Sequence, residues 1–344
     1  MSTSAVPNLQ QATDYGLSKL NLLSPTNGTV NLKPYLVELN YYEDIYNNTI
    51  SGKIVISDAV GVILMSSLKG SELIELEFVK GTGGNSISTG NKVFNIFSVS
   101  ERQFDISHNY ETYVINFCTE DLMLSEQYRI SKSYPKPMLI SDMVVDILDN
   151  ILQTGTSYDV EQTTRTYNFV LPNKKIFETI NWLASYAIPS KNSSGADMLF
   201  FENANGYHFK SLQTLYNQTP LFTYFYNPKN ILNDANKTNL QPDNIYRLEV
   251  LNNFDTFDAI MKGTFSSRLI TFDPLRRKRD VKDFDYKKYS SSAKVLNKSN
   301  DPIYNLTYRN RFGKTLNDAP PPILDAGALR LMITNTGTQQ EKYV

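Results

Sequence analysis

Apolar and polar residues alternate along much of the first third of the chain. A period of two is typical of β-strands that bury one face. The alternation is nearly strict at Ile74–Phe78, where glutamates separate the three apolar residues. Asn47 and Asn48 supply turn-forming side chains between two such segments. A small antiparallel barrel or sandwich is therefore predicted, with strands at 37–41, 50–58, 73–78, 93–99 and 110–118.

The spacing of apolar residues becomes helical after residue 119. A short helix is predicted to begin at Glu120. A second helix begins at Ser141 or Asp142, because apolar residues then recur three or four positions apart, and Gly155 is expected to end it. A third helix is predicted from Ile176 to Ala187, with Trp182 beside its apolar face.

Strand patterns return after a polar loop at residues 189–195. Met198–Glu202 and Tyr207–Leu212 flank the dipeptide Asn205-Gly206. This dipeptide is typical of hairpin turns, where positive φ is required. A β-hairpin is therefore predicted here, and further strand-like segments follow at 222–226, 248–251 and 259–265.

Three segments lack a regular pattern. Residues 1–27 are polar and are predicted to form an N-terminal arm. Residues 273–302 are highly charged and poor in aliphatic side chains, which indicates an exposed excursion. No set of strands is predicted from Leu316 onward, where Pro320-Pro321-Pro322 interrupts the chain.

The charge of the chain is balanced. It contains 34 Lys and Arg residues and 35 Asp and Glu residues, which gives a net charge of −1 at pH 7. A protein that binds nucleic acid through bulk charge would be clearly basic. We expect no signal peptide, because residues 1–7 have neither a basic region nor an apolar core. We expect no membrane-spanning segment, because the longest apolar stretch, Ala59–Met65, is far shorter than the roughly 20 residues that a spanning helix needs.

Cysteine and histidine, which often catalyse reactions or bind metals, are scarce. One cysteine and two histidines exclude a disulfide framework and a cysteine-based zinc site. Cys118 and His208 lie in predicted strands, where buried and half-buried packing are expected. The glycine-rich segment 81–84 lacks the Lys-Ser/Thr of a phosphate loop. The sequence therefore predicts neither an enzyme nor a bound cofactor or metal.

Charged clusters are the remaining candidates for function. The run Arg276, Arg277, Lys278 and Arg279 either contacts phosphate or an acidic partner or forms a solvated loop with internal ion pairs, and we favour the loop. The carboxylate pairs Glu43/Asp44 and Asp283/Asp285 could perform acid–base chemistry. No substrate pocket is predicted beside either pair, so a structural role is preferred.

Three groups of short segments share a specific order and spacing. The first group comprises Tyr42–Ile45, Ser51–Asp58 and Leu68–Glu72; the second, Phe94–Phe97, Tyr113–Phe117 and Leu124–Glu126; the third, Asn168–Asn173, Ile180–Ala184 and Phe200–Leu212. Together, from about Leu36 to Leu215, they resemble the baseplate hub proteins of contractile-tailed bacteriophages.

The resemblance implies an α+β, mainly β fold. Two tail-tube-like antiparallel β-barrel domains would flank an inserted mixed α/β region. The implied organisation is an arm (1–27), a first barrel (28–119), a helical and mixed domain (120–195), part of a second barrel (196–230), a second part of the mixed domain (231–315) and a C-terminal segment (316–344). The family's second barrel is completed by later strands, and no such strand set is predicted after Leu316, so either this barrel is incomplete or this chain lacks the rest of the protein.

The resemblance also implies a structural function without catalysis. Three copies would form a pseudo-sixfold ring that joins the tail tube to the central spike and lines the channel for DNA. The implied partners are two further copies, the tail tube protein, the central spike protein, the tape-measure protein and baseplate wedge components, with DNA only in transit. The expected location is the virion tail baseplate, after assembly in the host cytoplasm.

Roles for individual residues follow from this resemblance. Candidate interface residues are Glu43, Asp44, Asp58 and Glu72, together with the basic run 276–279. Gly52, Gly61 and Gly70 are expected in turns. The predicted core residues of the first barrel are Ile45, Ile54, Ile56, Phe78, Phe97 and Phe117.

Three alternatives stay open at this point. The chain could be the hub of a tailocin or of a secretion-system injection device, with the same fold and mechanism. Its tyrosine, tryptophan and asparagine residues also suit a carbohydrate-binding β-protein. The least favoured alternative is a hydrolase that uses the paired carboxylates, since no catalytic constellation accompanies them.

Overall fold

β-Strands dominate the structure, a computed structural model, as the sequence predicts. It describes residues 15–25, 28–61, 68–80, 87–105, 110–191, 197–220, 223–224, 226, 245, 248–249, 266–274, 277–285, 308–309, 315–316 and 329–333. The predicted segments 222–226 and 248–251 lie partly outside these ranges, and 259–265 lies entirely outside them.

The described helices and strands have the following bounds. The helices are α1 (Glu120–Gln127), α2 (Ile140–Asp146), α3 (Ile176–Ala184) and α4 (Leu212–Tyr216). The strands are β1 (Tyr15–Ser24), β2 (Gly28–Asn31), β3 (Leu36–Tyr42), β4 (Ser51–Asp58), β5 (Leu73–Lys80), β6 (Ile87–Ser88), β7 (Lys92–Asp105), β8 (Tyr110–Cys118), β9 (Arg129–Ile130), β10 (Ser133–Leu139), β11 (Tyr158–Val160), β12 (Thr166–Val170), β13 (Lys174–Lys175), β14 (Met198–Asn203), β15 (Gly206–Ser211), β16 (Ser266–Asp273), β17 (Lys278–Asp285), β18 (Tyr308–Arg309), β19 (Thr315–Leu316) and β20 (Leu329–Ile333).

The first eight strands form one antiparallel sheet in the order β2-β1-β5-β7-β8-β4-β3, and β6 pairs with β5. The sheet is curled. The ring of Tyr41 on β3 meets the ring of Phe78 on β5 edge-on, with centroids 5.4 Å apart, although three strands separate β3 from β5 along the sheet. A 3₁₀ turn at Lys33–Tyr35 links the two edge strands.

The concave face of this sheet holds the first hydrophobic core. Its members come from alternate positions on neighbouring strands, as a period of two requires. Burying these side chains is the main source of stability for the half-barrel. The buried residues are Leu20, Leu22, Leu32, Ile50, Ile54, Ile56, Ile74, Leu76, Phe94, Ile96, Tyr113, Ile115 and Phe117.

A second core lies in the mixed region. Apolar residues of α2 and α3 pack against the hairpin β14–β15 and against β12. The Phe200 and Tyr207 rings stack across this hairpin, with centroids 5.4 Å apart. The Phe169 ring of β12 meets the Trp182 ring of α3 edge-on at 5.2 Å. The apolar residues that recur at helical spacing in the sequence therefore lie on the buried faces of α2 and α3, as predicted.

Residues Tyr15–Ser24 differ from the prediction of an N-terminal arm. They form β1, which pairs with β5 along its length, including Leu20 with Leu76 and Leu22 with Ile74. Leu20 and Leu22 are fully buried. The arm prediction is wrong for this segment because its pairing partner lies more than fifty residues away.

Helix ends also differ from the prediction. A π-helical turn at Ile147–Leu152 continues α2, and Gln153 (φ 52°), rather than Gly155, ends it in the left-handed conformation. Helix α3 ends at Ala184 rather than Ala187. The Asn205-Gly206 hairpin is confirmed. A Cβ atom on Gly206 (φ 128°) would lie 2.0 Å from the Ser157 carbonyl oxygen, so glycine is required there.

Two residues of the first barrel have other roles than predicted. Phe97 is 52% exposed rather than part of the core, because it follows Ile96 and therefore lies on the opposite face of β7 from the buried Phe94 and Ile96. Gly52 lies within β4 rather than in a turn. A Cβ atom there would lie 2.2 Å from the Phe117 ring and 2.4 Å from the Asn40 carbonyl oxygen, so Gly52 makes room for close packing.

The charged segment 273–302 is only partly an irregular excursion. Its first part belongs to a regular hairpin, in which β16 and β17 pair antiparallel from Ser266 with Asp285 to Asp273 with Lys278. Strand β20 pairs in parallel with the other side of β16. Residues 286–302 lie outside the described ranges.

Candidate assembly surfaces and the junction between the two cores

Glu43 and Asp44 lie exposed in the turn after β3. Glu43 accepts a hydrogen bond from the Tyr41 hydroxyl at 3.0 Å. The two Asp44 carboxylate oxygens accept bonds from the Tyr46 backbone N–H and the Asn47 side chain, both at 2.9 Å. These contacts shape the turn, and the exposed carboxylates remain candidates for contact with a partner.

Asp58 is 3% exposed, which corrects its prediction as an interface residue. Its carboxylate accepts hydrogen bonds from the backbone N–H groups of Val60 (2.9 Å) and Gly61 (2.8 Å) and from the Tyr113 hydroxyl (3.4 Å). A short acidic side chain that binds its own backbone in this way is typical of a turn. Asp58 therefore stabilises the end of β4.

Glu72 requires the same correction, since it is also 3% exposed. Its Oε2 atom accepts hydrogen bonds from the backbone N–H groups of Lys69 (3.0 Å) and Gly70 (2.9 Å). Burial alone would raise the pKa of Glu72, but these backbone donors outweigh burial and lower the pKa below its ordinary value. Glu72 therefore holds the loop before β5 as a buried carboxylate.

The basic run lies at the tip of the β16–β17 hairpin. Arg276 falls outside the described residues, whereas Arg277, Lys278 and Arg279 are exposed. Lys278 pairs with Asp280 at 3.2 Å. Within the described part of the chain, no hydrogen bond or ion pair engages the guanidinium of Arg277 or Arg279, so the predicted internal pairing is only partial.

Strand β7 has an open edge. It pairs with β5 only from Lys92 to Asn95, and beyond Ile96 it pairs, among the described strands, with β8 alone. Exposed apolar side chains follow this part of the strand, namely Phe97 (52%) and Phe104 (61%). An extended edge with apolar side chains is a template for pairing with another chain.

Strand β3 forms a second open edge. It pairs with β4 on one side, and no other described strand pairs with it. Val37 is 62% exposed at a bulge between Leu36 and Glu38. Val37 is therefore turned outward by its bulge, whereas Phe97 lies on the outer face by alternation from the buried Ile96. The sequence alone did not identify Val37 as outward-facing, because a bulge depends on pairing rather than on local pattern.

Glu202 joins the half-barrel to the mixed region, and sequence reasoning did not identify it as a site residue. It lies on β14 and is 2% exposed. Its Oε2 atom accepts hydrogen bonds from the Thr119 hydroxyl at 2.7 Å and from the Ile50 backbone N–H at 3.1 Å. Its Oε1 atom lies 3.6 Å from the Lys92 Nζ atom. One carboxylate thus connects β14 to three points of the half-barrel.

Further polar contacts extend this junction. The Asn48 side chain donates to the Phe200 carbonyl oxygen at 2.9 Å and exchanges hydrogen bonds with the Asn181 side chain at 3.0–3.1 Å. Lys92 Nζ also donates to the Asn203 carbonyl oxygen at 3.1 Å. Contacts with separations of more than 100 residues fix the two cores relative to each other.

Burial shifts the pKa values of two groups at or beside the junction, Glu202 and Cys118. It raises the pKa of Glu202 above its ordinary value, although the bonds from Thr119 and Ile50 and the charge of Lys92 act in the opposite direction. Burial, reinforced by the negative charge of Glu202, also raises the pKa of Cys118 to about 11. Cys118 is therefore a neutral thiol near pH 7, as expected for a buried structural cysteine.

Metal-ligating residue types do not cluster in the described part of the chain. The described residues contain no group of three or more His, Cys, Asp or Glu side chains that could hold a metal ion. His208 is half-buried, as predicted, and its Nε2 atom lies 2.9 Å from the Asn203 Oδ1 atom. None of the helices in the described ranges is both long and apolar enough to cross a bilayer.

No protein-family model matches the sequence, whereas a curated phage protein is similar to it. Over 263 residues, the chain is 24% identical to the probable baseplate hub protein gp334 of Vibrio phage KVP40. This chain is homologous to a probable phage baseplate hub protein. The alignment covers 76% of the chain and 61% of the relative, so the chain spans less than two thirds of that protein's length. The resemblance to baseplate hub proteins is thereby confirmed.

Solved structures with related shapes include tail proteins. A tail protein from Neisseria meningitidis MC58 has a TM-score of 0.46 and 10% identity, covering 78% of this chain and 67% of that one. The 43 kDa tail protein of prophage MuSo2 from Shewanella oneidensis has a TM-score of 0.46 and 7% identity, covering 93% and 73%. The Francisella PdpA–VgrG complex has a TM-score of 0.43 and 11% identity, covering 95% and 46%. Scores of this size identify neither a partner nor a site.

Proposed function

We propose that the chain is a structural subunit of a phage tail baseplate hub. In this proposal, three copies form a pseudo-sixfold ring that joins the tail tube to the central spike. The ring surrounds a channel through which the tape-measure protein and DNA pass. The homology to a probable baseplate hub protein is the observation that carries the proposal.

The open edges of strands β3 and β7 support assembly into a ring. Val37 on β3 and Phe97 on β7 lie on different strands of one sheet. A subunit with two different contact surfaces can bind its neighbours head to tail, and a ring results when the rotation closes. Closure also covers strand edges that would otherwise invite open-ended association.

The junction at Glu202 supports the same function in a second way. A hub that connects a tube to a spike must hold its domains in a fixed orientation while force passes through it. The Glu202 carboxylate and the Asn48 side chain link the half-barrel to β14 and α3. We assign these residues a structural role rather than a catalytic one.

Electron microscopy of the purified protein tests this proposal. Class averages are expected to show a closed ring of three copies with a central opening. Particles that contain a single copy, or open chains of copies without a central opening, would contradict the proposed ring. Localisation of the protein at the tube end of isolated tails would test its place in the baseplate independently.

A further inference from the structure

One exposed face of the β16–β17 hairpin combines apolar and basic side chains. The register pairs Phe272 with Arg279 and Ile270 with Val281, so these four residues share one face of the hairpin. Phe272 is 46% exposed and Val281 is 47% exposed. Arg279 is exposed beside them, and Arg277 lies in the adjoining turn.

Two acidic residues of this hairpin, Asp280 and Asp283, are already engaged. Asp283 forms a bidentate pair with Arg268, with N–O distances of 2.6 and 2.8 Å. Asp280 pairs with Lys278. The guanidiniums of Arg277 and Arg279 have no such counter-ion within the described ranges. The hairpin tip therefore presents two positive charges that remain available to a partner.

We propose that this face binds an acidic protein segment that also carries apolar side chains. Arginine and aromatic residues together are characteristic of protein–protein contacts. The two guanidiniums would bind carboxylates of the partner through paired N–H donors, while Phe272 and Val281 would cover its apolar side chains. The inference concerns this hairpin alone and does not depend on the hub assignment.

The charge and composition of this hairpin face favour a protein over DNA as its partner. A phosphate backbone would gain nothing from contact with Val281, and it would approach the carboxylates of Asp280 and Asp283 on the same hairpin. Binding to DNA depends chiefly on neutralising many phosphates. Two available guanidiniums and one paired lysine provide few such contacts. An acidic segment with apolar residues matches both components of the face.

Fluorescence anisotropy with three labelled probes tests the inference on the full chain. The probes are a peptide of repeated Glu-Glu-Leu triplets, a polyglutamate of equal charge and a short DNA duplex. The mixed peptide is expected to bind most tightly, and added salt should weaken its binding because charge pairs are screened. Equal binding of polyglutamate, or tighter binding of the duplex, would overturn the proposal.

Variants locate the binding surface. The double variant Arg277→Glu/Arg279→Glu should weaken binding of the mixed peptide at least about tenfold, and Val281→Ser should weaken it while leaving the weaker polyglutamate binding unchanged. The matched control is Lys136→Glu/Lys191→Glu, which reverses the charge of two exposed lysines elsewhere. Circular dichroism verifies that each variant is folded. Equal losses in control and hairpin variants, or no loss in either, would contradict the proposal.

Discussion

The Thr119 hydroxyl donates a hydrogen bond of 2.7 Å to the Glu202 carboxylate, across 83 residues of sequence. Thr119 follows the last strand of the half-barrel, and Glu202 lies on the hairpin of the mixed region. The same carboxylate also binds the Ile50 backbone N–H. A single buried side chain therefore couples the two hydrophobic cores.

Removal of this side chain should destabilise the protein. Glu202→Ala leaves the Ile50 N–H without its acceptor and removes the carboxylate that the Thr119 hydroxyl and the Lys92 ammonium contact. Breaking a buried charge pair of this kind costs about 3 kcal/mol. Urea unfolding should show this loss, whereas Glu38→Ala on the exposed edge strand should change the free energy of unfolding by less than about 0.5 kcal/mol. Equal, small effects of both variants would show that the junction contributes little.

The raised pKa of Glu202 predicts a pH dependence with a definite sign. Because the folded protein holds this proton more strongly than the unfolded chain does, the proton stabilises the fold below the ordinary glutamate pKa. That stabilisation is lost as pH rises through the higher pKa of the folded state. The free energy of unfolding of the natural protein should therefore fall relative to that of Glu202→Gln as pH rises above about 4.5. This difference is the quantity to measure. A difference that is constant with pH, or that shifts in favour of the natural protein, would contradict the assignment.

Gly52 should tolerate no larger side chain. In Gly52→Ala the new methyl group would meet both the Phe117 ring and the Asn40 carbonyl oxygen. Overpacking of this kind costs about 3 kcal/mol, because backbone or ring must move. Gly155→Ala is the matched control, since no atom lies within 4 Å of its added Cβ. Thermal unfolding compares the two variants, and a Gly52→Ala protein as stable as the control would refute the packing argument.

Open-edge variants should weaken assembly without unfolding the subunit. Val37→Lys and Phe97→Lys each replace an exposed apolar side chain on an open strand. If each side chain is buried between copies, its loss costs about 2 kcal/mol per contact, which raises the protein concentration needed for assembly by more than about tenfold. Sedimentation velocity measures this concentration. The control is Val60→Lys, which is 59% exposed but outside the strands. An equal response of all three variants would show that these edges are not part of the assembly interface.

The alternation of apolar and polar residues predicted most strands of the first barrel. It failed where pairing between segments distant in the sequence decides the structure. Ile54 and Ile56 alternate with polar neighbours and are buried as expected. Leu20 and Leu22 were assigned to an arm, because their burial depends on pairing with β5. Phe97 is a large apolar residue in a predicted strand, which favours the core, yet it alternates with the buried Phe94 and Ile96 and so lies on the outer face.

The candidate site was harder to predict than the fold. Asp58 and Glu72 had the residue type of an interface, yet both carboxylates bind their own loops. Glu202 had one available signal, since an acidic residue directly after the apolar residues of β14 falls on a strand that is buried on both faces. Its partners Ile50 and Thr119 come together only in the folded chain.

Mass photometry of the purified chain tests the central claim most directly. The proposed hub ring requires that particles at assembly concentrations have three times the mass of one chain. Dilution should produce monomers without unfolding. A population of folded monomers alone, across the full concentration range, would contradict the trimeric hub.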